Sequence, residues 1–276
     1  MNILYKYCDC QGGIKILSSL ELKVPFVADV NDPYDCRPDF FCGDNKGKIK
    51  NRCLQALNNQ NKIVPPDFEK HAEDLIAKNE IQNSLINASL KVLDEKYKEY
   101  CLLSVSKSPR NPTMWAHYAE GHQGIVIGID FDALFYDNGK IYPIKMHKVD
   151  YILGRLRVDV LDDEIESMNK ILMTKTNNWR YEEEFRTIFV PSSPNIEHMT
   201  LEYLQRKSLA STRDFKGKRT WFLRLNPVAI KQVIFGLHTE ESLKSVVKRL
   251  VVHLSDVKLY QVQESKTDEF DLAELN

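Results

Sequence analysis

The chain has 276 residues, of which 43% are hydrophobic and 28% are charged, as in ordinary globular proteins. Its formal net charge of −1, from 38 basic and 39 acidic residues, excludes a global positive field, so any basic patch for nucleic acid must be local. No apolar run approaches the roughly 20 residues that span a bilayer, and the N-terminus lacks the apolar segment of a signal peptide. We therefore expect a cytoplasmic protein without a membrane partner.

The first part of the chain alternates strand and helix patterns before a long charged stretch. Residue patterns predict strands at 3–7 and 23–28 and a short amphipathic helix at 14–20. The sequence Asn31-Asp32-Pro33 predicts a tight turn, because Asx side chains bond the local backbone and proline fixes φ. We expect 36–66 to be irregular. An apolar stripe then indicates helices from 67 to 97, within an insertion at about 60–98 that covers or gates the sheet.

The second part of the chain supplies most of the predicted sheet. We predict strands at 100–106, 125–130, 142–151, 221–225, 230–235 and 257–262, and in the second half of 177–190. We predict helices at 161–176 and about 240–251, a turn at 191–194, and a polar, basic-leaning connection over 202–218. The acidic tail from about 264 is expected to be loose. Together these patterns predict a single α+β domain over residues 1–276.

Six cysteines raise the question of a metal or disulfide framework. In a cytosolic chain they are expected to be reduced. Structural zinc sites use paired Cys-x-x-Cys or Cys/His spacing, whereas Cys8-x-Cys10 is too tight and Cys36 and Cys42 have no histidine between them. We therefore predict buried or incidental thiols and no metal.

The Glu182-x-Glu184-x-Arg186 motif leads into an apolar strand. Alternate side chains of a strand share a face, so these three side chains would point the same way. Two carboxylates and a guanidinium entering a core are costly unless they have partners or a function. Either the motif is an exposed strand end whose charges block aggregation, or a carboxylate holds a substrate hydroxyl while Arg186 positions it.

A second group of polar and aromatic residues is Trp115-x-His117-Tyr118 with His122 just beyond. If 114–119 form a helical turn, Tyr118 and His122 lie on one face at i, i+4, with His117 beside them. The alternative is that Trp115 and Tyr118 are core aromatics whose N–H and O–H groups find backbone partners, and that the histidines are cap or turn residues.

These two stretches together resemble a bacterial family, domain-of-unknown-function family 2971. The more specific motifs are Trp115-x-His117-Tyr118-x3-His122-x-Gly124 before an apolar strand, and Trp179-x-Tyr181-Glu182-x-Glu184-x-Arg186. Weaker matches, in the same order as in the family, are Tyr5-x-Tyr7, Leu17 to Leu22, Asn31-Asp32-Pro33 and Val233-Ile234-Phe235-Gly236. The sequence departs from the family at Val30, where an aromatic is expected, and matches it least over 36–97. The family name carries no activity.

A weaker resemblance is to the ADP-ribosyltransferases, through the order of strand, short helix, strand and a late strand bearing Glu-x-Glu. That superfamily binds NAD between two small sheets, so the resemblance implies a split mixed β-sheet core with a helical insertion. It also implies that Glu184 is the catalytic carboxylate, which bonds a ribose hydroxyl, and that Glu182 orients the acceptor.

The chemistry of NAD cleavage needs such residues. Breaking the nicotinamide–ribose bond passes through an oxocarbenium-like species, as in glycoside hydrolysis, and a nearby carboxylate stabilises its charge. Tyr118 or Tyr7 can stack on nicotinamide, and Arg186 or Lys6 can pair with the pyrophosphate. His117 joins the two glutamates as a candidate catalytic residue. The residues expected to bind NAD are Tyr5, Lys6, Tyr7, Asn31, Asp32, Trp115, Tyr118, His122 and Arg186.

Three functions remain open from the sequence. The first is an NAD-dependent ADP-ribosyltransferase, a glycosyltransferase acting as a toxin or phage-defence effector, which uses NAD as substrate and no metal. Its acceptor would be DNA, RNA or protein, and an antitoxin would be a natural partner. The basic connection over 202–218 would either meet a phosphate backbone or be a solvated loop. The second is a nuclease or other hydrolase with His117 or His122 as general base and Glu184 as its partner. The third is a non-catalytic defence binding module.

Overall fold

The computed structural model describes residues 3–59, 64, 66–190, 200–215, 217–254 and 256–275. Its strands are β1 (Ile3–Cys8), β2 (Glu21–Val24), β3 (Asp39–Phe41), β4 (Cys101–Ser106), β5 (Ile125–Asp130), β6 (Phe135–Asp137), β7 (Lys140–Tyr142), β8 (His147–Lys148), β9 (Asp150–Ile152), β10 (Arg157–Asp159), β11 (Thr174–Thr176), β12 (Glu184–Phe189), β13 (Ala210–Phe215), β14 (Lys218–Arg224), β15 (Ile230–Phe235), β16 (Lys258–Gln263) and β17 (Asp271–Leu275). Its helices are α1 (Cys10–Ser19), α2 (Lys46–Asn59), α3 (Phe68–Ala77), α4 (Glu80–Tyr97), α5 (Pro112–Tyr118), α6 (Glu164–Met173), α7 (Leu201–Arg206) and α8 (Glu241–Val251). Among the helices of these ranges, none combines the length and apolarity that crossing a bilayer requires.

One large mixed sheet forms the centre of the fold and confirms the predicted α+β class. Its strand order is β17-β16-β15-β5-β1-β4-β12-β8, and its neighbours are antiparallel except for β15 and β16. The central strand β5 is buried along its whole length, as its continuous apolar sequence predicts. Helices α1 and α8 contact each other and pack on the main core through residues such as Leu17, Leu243 and Val247.

The sheet is nearly divided between β1 and β4. Strand β1 pairs with β5 at each residue from Ile3 to Cys8, but with β4 only at Tyr5 and Ser106. On the other side, β4 pairs with β12 along its full length, from Cys101 to Ser106. Two well-paired halves therefore meet at a single residue pair, and the space beside this joint holds the cavity described below.

Helices α2, α3 and α4 stand between β3 and β4. Of these, α3 and α4 lie within the helical insertion predicted at about 60–98, whereas α2 precedes it. Helix α4 packs into the fold through Leu93 and Tyr97, which share a buried cluster with Cys36 and Leu102. The predicted irregular structure over 36–66 is wrong, because these residues include β3 and α2. Strand β3 forms by pairing with the distant β10, and Asn45 caps the start of α2 by accepting a hydrogen bond from the Lys48 amide.

Three further expectations are corrected, each because pairing with a distant strand decides the structure. The region 142–151 is broken into short strands: β7 pairs with β6, β8 with β12, and β9 with β11. The connection over 202–218 contains α7 and β13, and β13 pairs with β14. The tail expected to be loose carries β17, which pairs with β16 from Leu259 to Gln263. The predicted turn at 191–194 lies outside the described residues, as does Lys216 within the 202–218 connection.

Candidate functional site

A cavity of about 280 Å³ lies beside the joint between β1 and β4. Its walls come from β1, β4, the segment after β2, the end of α5, and the residues from β11 to β12. The predicted site residues that line it are Tyr5, Lys6, Tyr7, Asn31, Tyr118, Glu182 and Glu184. Residues from five separate parts of the sequence thus meet around one space, and the two motifs of the sequence analysis meet there.

Glu182 faces this cavity and has two strong hydrogen-bond donors. The Tyr118 hydroxyl donates to Oε1 at 2.6 Å, and the Lys175 ammonium donates to Oε2 at 2.6 Å. Lys175 is buried and also lies 3.3 Å from Oε2 of Glu184, with its Nζ 4.8 Å from the centre of the Trp179 ring. The Tyr118–Glu182 bond directly joins the two sequence motifs.

The expectation that Glu182, Glu184 and Arg186 share one strand face is corrected. Glu182 ends a 3-10 turn over Asn177–Glu182, and Glu183 has a left-handed φ of 43° before β12 begins at Glu184. This reversal turns the chain so that both glutamate carboxylates reach Lys175. The turn is fixed to β4 by the Ser106 hydroxyl, which donates to the Glu182 carbonyl at 2.7 Å.

Arg186 lies behind the cavity wall and is 1% exposed. Its Nε donates to Oε1 of Glu184 at 2.5 Å and one Nη to Oε2 at 2.9 Å. Its two Nη atoms also donate to both carboxylate oxygens of Asp35, and one of them to the Leu172 carbonyl at 3.1 Å. Arg186 therefore holds two carboxylates in place from beneath the site, and its donors do not face the cavity.

The two glutamates differ in their protonation. Burial raises the pKa of Glu182, although Lys175 and Tyr118 oppose the shift. Burial acts in the same direction on Glu184, but Arg186 and Lys175 overcome it and lower the pKa of Glu184 to about 2. Glu184 is therefore a fixed anion, while Glu182 is the group that can exchange a proton. Two carboxyl groups with diverging pKa values are a recurring arrangement in acid–base sites.

The two lysines of the cavity also differ. Although burial would lower it, Glu184 and Glu182 raise the pKa of Lys175, so this lysine stays charged. Lys6 donates from Nζ to the Ser104 carbonyl at 3.0 Å, and burial lowers its pKa. Among the described residues Lys6 forms no ion pair, so it is the cation of the cavity that lacks a carboxylate partner.

Besides Arg186, four predicted residues do not line the cavity. Trp115 is buried in the core, where its Nε1 donates to the Pro109 carbonyl at 2.7 Å, so the structural interpretation of this residue holds. Asp32 is buried in its turn and accepts from the Tyr34 amide. His117 is exposed, and its Nδ1 lies 2.9 Å from the Tyr181 hydroxyl rather than beside Glu184.

His122 is separated from Tyr118, because α5 ends at Tyr118. Glu120, Gly121 and His122 then take left-handed φ values, so the expected i, i+4 pair does not form. The His122 ring instead lies 5.9 Å from that of His238 and 5.6 Å from that of Phe270.

The sequence analysis missed Lys175 and Asp35. Lys175 was placed in a helix over 161–176, but α6 ends at Met173 and Lys175 lies in β11. The β-branched neighbours Thr174 and Thr176 were the available signal for a strand. In the described part of the chain, no cluster of three His, Cys, Asp or Glu residues is arranged to hold a metal ion.

The fold and site thus define an α+β protein with a charged, tyrosine-lined cavity at the joint of its main sheet. Residues 114–187 match the model of the family described as Protein of unknown function (DUF2971). The matched segment runs from α5 into β12 and contains both motifs, which confirms the resemblance inferred from them. No curated protein and no solved structure matches the chain.

Proposed function

We propose that this protein is an NAD-dependent ADP-ribosyltransferase whose active site is the cavity at the β1–β4 joint. The observation that supports it most is the convergence of Tyr7, Tyr118, Glu182 and Glu184 on one space, next to Lys6. These residue types provide ring surfaces, carboxylates and a cation, the groups that a dinucleotide with a ribosyl reaction centre requires. The near-division of the sheet at Tyr5 and Ser106 also resembles the split core of ADP-ribosyltransferases.

The proposed reaction breaks the bond between the ribose C1′ and the nicotinamide nitrogen. Nicotinamide leaves with the bonding electron pair and becomes neutral, while C1′ gains oxocarbenium character. A nucleophilic atom of the acceptor then bonds to C1′ and loses its proton. The protein must therefore stabilise transient positive charge at C1′ and accept one proton.

Glu184 fits the first requirement. Arg186 and Lys175 keep its carboxylate ionised and fix its orientation, so little reorganisation accompanies the growth of charge at C1′. Oε2 already accepts from Arg186 and Lys175, whereas Oε1 accepts from the Arg186 Nε and has a second lone pair that could accept from a ribose hydroxyl.

Glu182 fits the second requirement. Its raised pKa gives it more basicity than an ordinary glutamate, and Tyr118 and Lys175 fix its position. Lys6, rather than Arg186, is the cation that faces the cavity and suits the pyrophosphate.

The hydrolase hypothesis receives less support. It needs a histidine beside Glu184, whereas His117 pairs with Tyr181 and His122 lies against His238 and Phe270. We therefore infer transfer to a macromolecule as the principal activity, in the setting of a toxin or defence effector. DNA, RNA and protein are all acceptors to test.

The test uses NAD labelled in its ADP-ribose part, incubated with the purified protein and with RNA, DNA or bacterial lysate. We expect the wild type to transfer label, and Glu184→Gln to reduce transfer by at least about 100-fold, the scale seen when a transition-state group is removed. Glu183→Gln is the matched control, because Glu183 is exposed and lies between the two cavity glutamates.

The outcomes separate the hypotheses. Release of nicotinamide without labelled product would indicate an NAD hydrolase with the same site. No binding and no turnover of NAD would refute the proposal and favour a non-catalytic binding module. Equal transfer by the wild type and Glu184→Gln would refute the role of Glu184.

A further inference from the structure

Beneath the cavity, three carboxylates share two cations. Lys175 contacts Asp35, Glu182 and Glu184, and Arg186 contacts Asp35 and Glu184. All five side chains are at most 6% exposed. If every carboxyl group is ionised, this buried cluster carries one negative charge more than its cations balance.

An unbalanced charge in a buried place is unfavourable, so a second event must compensate for it. One compensation is a proton on Glu182, the group of the cluster that burial shifts toward its neutral form. The other is a positive charge that enters from the cavity, because Glu182, Glu184 and Asp35 all line it. The two compensations exclude each other, since a protonated Glu182 removes the excess that attracts a cation.

The cavity walls suit a flat cation. Tyr5, Tyr7 and Tyr118 line it, and each ring is held by its hydroxyl, which donates to Gln232 Oε1, the Ser108 carbonyl and Glu182 respectively. Aromatic rings next to carboxylates bind delocalised cations through the ring quadrupole and through charge. Lys6 lines the same cavity and feels the charge of Glu184, but it forms no ion pair with the three carboxylates, and burial lowers its pKa and so favours its neutral form.

We propose that the cavity selects an aromatic ligand that carries a positive charge over its neutral counterpart, and that binding of this cation displaces a proton from Glu182. With the proposed function, on which this identification of the ligand rests, the cation is the pyridinium ring of oxidised NAD. The excess negative charge of the cluster then favours binding of the oxidised over the reduced dinucleotide. It also disfavours neutral nicotinamide, the leaving group, so product release becomes easier after the bond breaks.

The proton exchange of Glu182 depends on all the titratable groups around it. From β11, the 3-10 turn and β12 it is faced by Lys175, Tyr181 and Glu184, from α5 by Tyr118, and from β9 by Tyr151. Burial raises the pKa of each of these tyrosines, so they remain neutral, and Lys175 and Glu184 remain charged. Glu182 is thus the group of this set whose pKa is moved toward the neutral form and whose proton can exchange.

Calorimetry with two ligand pairs tests the proposal. N1-methylnicotinamide is a cation and nicotinamide is its neutral counterpart; NAD⁺ and NADH differ in the same way. We expect the cation of each pair to bind at least about tenfold more tightly. Affinity for N1-methylnicotinamide should rise with pH through the titration of Glu182, with proton release that buffers of different ionisation enthalpy detect. Affinity for nicotinamide should not rise.

Glu182→Gln balances the cluster at two carboxylates and two cations and should reduce the preference to less than about twofold. Glu183→Gln, which alters an exposed neighbour, should keep it. The pH dependence of the wild type gives a measurement that does not depend on how the variants fold.

Equal affinity for both members of each pair overturns the proposal, as does a preference that survives in Glu182→Gln or a lack of binding by all four ligands. The proposed function is judged separately. A preference for N1-methylnicotinamide without any transfer of ADP-ribose supports the cation site and refutes the transferase. Transfer of ADP-ribose without a preference for the cationic ligand supports the transferase and refutes the cation site.

Discussion

Replacing Arg186 by methionine should be among the most damaging single changes in this protein. The guanidinium is 1% exposed and donates to both oxygens of Glu184, both oxygens of Asp35 and the Leu172 carbonyl. Methionine has a similar length but no charge and no donor. The two buried carboxylates of Asp35 and Glu184 would then have Lys175 as their remaining cation. Removal of one partner from a buried ion pair destabilises a protein by about 3–5 kcal/mol.

The assay is urea denaturation at pH 7, followed by circular dichroism and tryptophan fluorescence. We expect Arg186→Met to lower the free energy of unfolding by about 3–5 kcal/mol, with a fall in Tm on the order of 10 °C. Arg180→Gln is the control, because Arg180 is exposed and its hydrogen bond to Asn177 is long, at 3.4 Å. We expect it to change stability by less than about 0.5 kcal/mol.

A double-mutant cycle identifies the cause. Adding Glu184→Gln to Arg186→Met removes one of the unpaired carboxylates, so the double variant should be more stable than the sum of the two single effects predicts. A loss from Arg186→Met no larger than that from Arg180→Gln would refute the reasoning. Strict additivity in the cycle would show that the loss comes from packing rather than from unpaired charge.

Three further predictions concern stability. Because the pKa of Glu184 is lowered in the folded state to about 2, its contribution to stability should be complete when the pH is above the ordinary pKa of a glutamate and should be lost as the pH falls toward 2. Denaturation at several pH values should therefore show that the free energy of unfolding falls less steeply with decreasing pH in Glu184→Gln than in the wild type. Tyr97→Phe should leave stability unchanged or raise it by up to about 1 kcal/mol, because the buried Tyr97 hydroxyl has no partner among the described residues, whereas Tyr118→Phe should destabilise. Gly124→Ala should destabilise by more than about 3 kcal/mol, since its Cβ would lie 2.1 Å from the Cys8 carbonyl oxygen, while Gly139→Ala, at an open turn, should cost less than about 2 kcal/mol.

The sequence was sufficient for elements whose own pattern decides their structure. β5 is apolar throughout, and α8 repeats buried residues at Leu243, Val247 and Val251, so both were predicted within a residue or two. The sequence was insufficient where pairing with a distant strand determines whether a segment forms a strand. β13 is polar and β17 is acidic, yet each forms because an edge strand offers it a complete set of hydrogen bonds.

The candidate site shows the same contrast between what a local motif predicts and what long-range contacts determine. The residue types of the Glu182-x-Glu184-x-Arg186 motif indicated that its charges need partners, because charge that enters a core is otherwise unfavourable. The sequence did not show that this motif and Tyr118 meet in space. The partner itself could not be found. Lys175 lies in β11, outside both motifs, and its role depends on the left-handed turn at Glu183, which brings Glu182 back toward it. A left-handed glutamate gives no signal in the residue sequence.

Arg186 also connects the cavity to the helical insertion. Asp35, its second carboxylate partner, precedes Cys36, which packs with Leu93 and Tyr97 of α4. The next residue, Arg37, pairs with Asp94 at 2.5 Å and covers the Tyr97 ring at 4.6 Å. Since Arg186 shares its donors between Asp35 and Glu184, the position of the insertion helps to fix the carboxylate of Glu184. Helix α4, which lies outside the segment matched by the family model, therefore supports the charges within that segment.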